Sequence, residues 1–187
     1  RVLFRSVAYA KSQPNGLTLG SPGVGSQPHL AAELLLRDAG VKGLVVQYRG
    51  DAPAYTDLLA GRLDGTLTAI AAALPHVQSG KLRVLGVAAA ERSAIYPDAP
   101  TLREQGLPSV VAAGWYGFMV PAGTPQAVIE RLGGEINRAL ADPGFKQKLL
   151  DKGIEPFPGT SAEFGRFIQS EMDKWGAVIK QAGIRGQ

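Results

Sequence analysis

Apolar and polar positions along this chain switch between two periods. Leu17 and Leu19 recur at every second residue, the spacing of a strand, whereas Leu30, Ala31, Leu34 and Leu35 recur on one helical face. Gly20, Pro22, Gly23 and Gly25 interrupt both patterns, so the stretch reads as strand, glycine loop and helix. Ser26 is placed to cap that helix, with Pro28 in its first turn, where a missing N–H costs little. The device recurs. Residues 44–48 are a short apolar run of the buried-strand kind, and Arg49-Gly50-Asp51-Ala52-Pro53 then leads into a helix that Asp51 caps. That helix buries Leu58 and Leu59 and stops at Gly61. Residues 66–70 form the next strand, 71–79 a short helix ended by Gly80, and 82–88 a fourth strand. Strands alternating with helices predict a parallel α/β layer, whose ligands sit beyond the carboxyl ends of the strands. Those ends are residues 20–26, 48–50, 68–69 and 88–92.

The second half is more helical. Pro97, Pro100 and Pro108 and a short turn at 101–105 mark residues 93–107 as a surface connection and a lobe boundary. Residues 110–120 are extended and carry Trp115, Tyr116 and Phe118. Thr124-Pro125 opens a helix lined by Val128, Ile129, Leu132, Ile136 and Leu140. Asp142-Pro143 opens another that Gly153 ends, and residues 154–157 form an edge strand broken by Pro156. Thr160-Ser161-Ala162-Glu163 is a capping box for the last helix, which buries Phe164, Phe167, Ile168, Met172, Trp175, Val178 and Ile179 and closes at Gly183. Before the first strand, residues 7–11 end a helix that Pro14-Asn15-Gly16 closes, and Arg1–Ser6 fit no period and read as a non-native leader.

Composition narrows the function. The 187 residues are 45% hydrophobic and 19% charged, which is ordinary for a folded domain. No apolar run reaches the roughly 18 residues that span a bilayer. The absence of cysteine removes thiolate chemistry, and two histidines far apart in sequence leave little for a transition-metal site. The net charge of +4 is spread along the chain, without the clustered stripe that nucleic-acid binding requires.

The glycine loop is the strongest chemical feature. Backbone N–H groups and the positive end of a helix dipole can hold an anion there without any charged side chain. The loop therefore either grips a carboxylate or simply makes a tight turn. No catalytic set converges elsewhere: the loop departs from a dinucleotide fingerprint at Pro28, and no Gly-x-x-x-x-Gly-Lys loop or Gly-x-Ser-x-Gly elbow occurs. Ser21 and Ser26 lack a neighbouring base. His29 either touches a ligand or bonds nearby backbone, His76 packs or caps, and Arg49-Gly50-Asp51 at a helix start is a chance match to an adhesion triplet.

Nine segments in register resemble the periplasmic solute-binding proteins of tripartite tricarboxylate transporters, the Bug family. Among them are Gly20-Ser21-Pro22-Gly23-Val24-Gly25-Ser26 with His29-Leu30, Tyr48-Arg49-Gly50, Asp57-Leu58-Leu59-Ala60-Gly61 and Pro121-Ala122-Gly123-Thr124-Pro125. The resemblance, which runs from Val7 to Ile184, implies an α/β, type II periplasmic-binding-protein-like, two-lobed fold, with the second lobe complete and the first partial. Residues 1–15 would be the leader and the end of a first-lobe helix, 16–109 the second lobe, and 110–187 a hinge strand and the carboxyl-terminal part of the first lobe. A signal peptide, most of the first lobe's sheet and the other ligand loop would precede this chain. The implied function is periplasmic capture of a small carboxylate by a monomer that hands it to membrane transporter subunits, with no catalysis, cofactor, metal or nucleic acid. The implied ligand residues are Ser21, Gly23, Gly25, Ser26, Gln27, Tyr48, Arg49, Gly50, Thr68 and Ala69. The family often has Asp-Asn where Thr68-Ala69 stands, a departure that favours an amine-free acid. A ligand-sensing domain of a transcription regulator is the alternative, since it shares the architecture, and an enzyme on this fold is a third.

Overall fold

The computed structural model describes residues 10–184. The leader read at Arg1–Ser6 and the first residues of the opening helix, 7–9, lie outside them. Three parallel strands, β1 (Leu17–Ser21), β2 (Gly43–Gln47) and β3 (Gly65–Thr66), form one sheet in the order β2-β1-β3. Leu17 pairs with Gly43 and Ser21 with Gln47 on one side of β1, and Leu19 pairs with Gly65 on the other. The chain divides into two compact units, 1–114 with 178–187, and 115–177.

In the first unit β1 is central, and Leu19, Gly20 and Ser21 are buried. Helix α1 (Gln27–Asp38) lays Leu30, Ala31, Ala32, Leu34, Leu35 and Leu36 into the core. Ser26 caps it by accepting the His29 N–H, with Pro28 in the first turn, as the sequence predicts. Helix α2 (Asp51–Leu59) corrects two expectations. Gly50, at φ 98°, is its N-cap, and the Asp51 side chain makes no capping bond. Ala54 and Tyr55 are its buried residues, while Leu59 is 44% exposed. The small Ala54 side chain is what lets α2 approach Gly20 of β1, where an added Cβ would meet the Ala54 Cβ at 3.5 Å. Helix α3 (Ile70–Gln78) follows, with Gly80 at φ 70° just beyond its end.

The third and fourth strands are shorter than their β-rich sequences predict. β3 leaves the ladder after Thr66, whose hydroxyl donates to the Gly20 carbonyl at 2.9 Å and ends the pairing. Residues 82–88 make no ladder, only a parallel bridge between Val87 and Thr101. Their hydrogen bonds go instead to later chain: Val87 N–H to Pro100 O and Ala112 N–H to Ala88 O, at 3.0 and 2.8 Å. Residues 93–107 are accordingly not a surface connection. Ser93, Ala99, Thr101, Leu102, Gln105 and Leu107 are buried, and the Gln105 amide satisfies the Leu85 carbonyl at 3.1 Å. A buried loop is tolerated only when its polar groups are paired in this way.

The second unit holds α4 (Gln126–Ala141), α5 (Pro143–Asp151) and most of α6 (Ser161–Ala182). Asp142 caps α5 by accepting the Phe145 N–H at 2.7 Å, and Thr160 and Glu163 form the predicted capping box. Helix α4 starts one residue later than expected, with Pro125 at its N-cap, because the Thr124 hydroxyl turns back to Pro121 O at 2.8 Å. Residues 154–157 form no strand, and Phe157 is 87% exposed. Trp115 packs edge-on against Phe164 and Phe167 with ring centroids 5.6 and 5.4 Å apart. Of the seven apolar positions predicted to be buried on α6, only Val178 is; Met172 is 63% exposed, and no residue of α4 is fully buried. Helical periodicity specifies which face is apolar, but burying that face takes a second surface packed against it.

Candidate functional site

Because the three strands are parallel, their carboxyl ends lie along one edge, and α1, α2 and α3 all begin there. Four hydrogen bonds tie the edge together. Tyr48 N–H donates to Ser21 O and Gly50 N–H to Pro22 O, both at 2.9 Å, joining the first two loops. Thr66 Oγ1 donates to Gly20 O at 2.9 Å, and Thr68 Oγ1 donates to Asp51 Oδ1 at 2.7 Å, bringing in the third.

The glycine loop is rigid from within. Ser26 N–H and Ser26 Oγ both donate to Gly23 O, at 3.2 and 2.7 Å, and Ser21 Oγ, fully buried, lies 3.4 Å from Ser26 Oγ. Gly25 takes φ 71°, a left-handed conformation that glycine adopts without steric penalty. Its N–H donates to His29 Nδ1 at 3.0 Å, and His29 Nε2 faces Glu33 at 3.7 Å. Of the two readings of His29, the structure takes the backbone one. An accepting Nδ1 puts the neutral imidazole's proton on Nε2. After these bonds the N–H groups of Gly23, Val24 and Gln27 have no partner among the described residues. They stand at the amino-terminal end of α1, where the helix dipole is positive.

The other predicted positions have different surroundings. The Gln27 side-chain amide donates to Ala112 O, tying α1 to the segment after residue 110. Arg49 is exposed and forms no ion pair among the described residues. Gly50 has open space around its α-carbon, and Ala69 is the exposed N-cap of α3. Tyr48 donates its hydroxyl to Asp57 Oδ2 at 2.8 Å, and Arg62 holds the other oxygen at 2.7 Å. Asp57 is a residue that site reasoning from sequence passed over, because nothing in the spacing links a helix carboxylate to the tyrosine before that helix.

This triad carries a pH signature. The Tyr48 hydrogen bond, then Arg62, holds the Asp57 carboxyl below its ordinary range, and the same bond raises Tyr48. A lowered carboxyl contributes stability above its unfolded pKa of about 3.9 and loses it as pH falls through the folded value. A raised tyrosine contributes below about 10 and loses that as pH rises further. Tyr48→Phe should therefore lower the urea midpoint between about pH 5 and 9, with the difference from the parent chain closing toward pH 3. A pH-independent difference would assign the effect to packing instead.

The α/β edge with three helix amino termini, an internally braced glycine loop and unpartnered N–H groups belongs to a periplasmic-binding-like fold. The model of the tripartite tricarboxylate transporter family receptor matches residues 2–184. The chain belongs to this family of periplasmic solute-binding proteins. A UPF0065 protein of the tcbD-tcbE intergenic region in a Pseudomonas species is 36% identical over 171 residues, covering 91% of this chain and 51% of that protein. The R. palustris protein Rpa4515, solved with adipate, superposes with a TM-score of 0.82 at 32% identity, covering 95% of this chain and 60% of that one. MatC from Rhodopseudomonas palustris, solved with bound malate, gives a TM-score of 0.75 at 31% identity, covering 95% and 61%. The chain thus spans about half the length of the first curated relative and three-fifths of these solved proteins.

Proposed function

We propose that the glycine-loop edge of this chain grips the carboxylate of a small organic acid, as part of a monomeric solute-binding protein that passes the acid to membrane transporter subunits. The carrying observation is the trio of unpartnered N–H groups on Gly23, Val24 and Gln27 at the start of α1. A carboxylate accepts several such bonds at once, and hydrogen bonds to a charged group contribute about 1.5–3 kcal/mol each. Arg49, exposed and unpaired one loop away, adds an attractive charge. Ser21, Ser26 and His29 hold the loop's shape, so the grip is already formed before the acid arrives. Thr68 and Ala69 bound the far end of the same edge. The adipate and malate named with the two solved relatives are both small carboxylates.

Mass spectrometry of small molecules retained by the purified full-length protein tests this reading. The expected result is one dominant organic acid, whose rebinding calorimetry confirms. Retention of a neutral or cationic metabolite alone would overturn it.

A further inference from the structure

At the far end of the same edge the hydrogen bonding has the opposite polarity. Thr68 Oγ1 lies 2.7 Å from Asp51 Oδ1 and 2.9 Å from the Tyr55 hydroxyl. A carboxylate only accepts, so the single Thr68 proton goes to Asp51, and Tyr55 must supply the proton between itself and Thr68. The chain therefore runs one way, from Tyr55 through Thr68 to Asp51. Tyr55 is 5% exposed and its ring lies 4.7 Å from that of His76 at a tilt of 50°, and burial raises its pKa, which keeps its proton in place. Every hydroxyl proton in the chain is spent inward. What faces outward is acceptor: Asp51 Oδ2 has no partner among the described residues and is open to solvent. Thr68 and Ala69 carry no carboxylate of their own, and Asp51 supplies one from the start of α2.

We infer that the Tyr55–Thr68–Asp51 chain sets ligand specificity, selecting an acid that carries a hydrogen-bond donor, hydroxyl or ammonium, on the part of the molecule facing Asp51. This rests on the carboxylate reading of the glycine loop. An acid whose facing part is bare methylene leaves Asp51 Oδ2 without a donor, and one that presents a second carboxylate there sets two negative groups together.

Succinate, L-malate and L-aspartate share one carbon skeleton and differ in carrying no donor, a hydroxyl or an ammonium group. Calorimetry on the full-length protein should show malate or aspartate binding roughly tenfold tighter than succinate. Asp51→Ala should bring the three within about threefold of one another, and Thr68→Val should do the same without touching the charge. Asp51→Asn keeps an oxygen for the Thr68 proton but turns a donating amide NH2 outward in place of the accepting Oδ2, so the preference for aspartate should fall below its level in Asp51→Ala, a reversal that simple loss of structure would not produce. Equal affinity for all three in the parent protein, or a preference that survives Asp51→Ala and Thr68→Val, overturns the assignment while leaving the carboxylate grip standing. Failure of all three to bind, together with no effect of Gly25→Asp on whatever acid the protein retains, overturns both.

Discussion

Gly25→Asp is expected to weaken binding of the retained acid on the order of 100-fold. Two unit charges about 5 Å apart at an effective dielectric near 20 repel by about 3 kcal/mol, and each 1.4 kcal/mol is a factor of ten. The substitution is sterically possible, because a Cβ at Gly25 meets nothing within 4 Å. Its φ of 71° adds strain, and Asn tolerates that region as well as Asp does. Gly25→Asn therefore isolates the charge: it should cost less than tenfold, and the difference between the two variants is the repulsion. Equal losses from Asn and Asp in titration calorimetry would mean that no anion sits beside this turn.

The largest expected effect on stability lies elsewhere, at Gly16. Gly16→Ala should lower the free energy of unfolding by about 3 kcal/mol, a large fraction of the 5–15 kcal/mol that holds a typical domain together. Two costs add there. Gly16 sits at φ 72°, where a side chain costs about 1–2 kcal/mol, and overpacking typically costs about 1–3 kcal/mol more. The clash is with backbone: a Cβ on Gly16 would fall 1.8 Å from the Lys42 carbonyl oxygen, which also accepts the Leu17 N–H at 3.0 Å. Relieving it means moving Lys42, and with it the start of β2 and its pairing with β1. Urea denaturation of the two proteins side by side measures the loss. A change under 1 kcal/mol would show that this turn relaxes freely. Gly40 at φ 59°, with nothing near its α-carbon, provides the comparison in which only the conformational cost appears.

Neither position could be ranked from sequence. Gly16 and Gly25 both stand in turns with neighbouring glycines or prolines, and each is legible as punctuation. That one abuts a carbonyl from twenty-six residues later, while the other opens onto free space, is decided by the strand register that pairs Leu17 with Gly43. The same holds for burial. The α1 pattern was read correctly because that helix packs on the strands beside it, so local periodicity and final surroundings agree. The α2 pattern misled. Leu58 and Leu59 are its largest aliphatic residues, yet contact with β1 required a small residue over Gly20, and Ala54 took that place.

The site divides along the same line. Local backbone chemistry made the glycine loop, the Ser26 cap, the turn at Pro14-Asn15-Gly16 and the capping box at Thr160 legible, because each involves residues within four positions of one another. A resemblance in nine segments gave the family. Tertiary structure alone decided where each rim side chain goes: Tyr48 to Asp57, Gln27 to Ala112, and Thr68 to Asp51, which the sequence had assigned to capping. Those partners are set by which strands lie side by side, and strand order is not written in any short stretch. The amino acids by themselves determined the helices from residue 27 onward, the first strands and the positively polarised loop; only the packing of β1 between β2 and β3 determined which hydrogen-bonding groups are consumed inside the protein and which are left without a partner among the described residues.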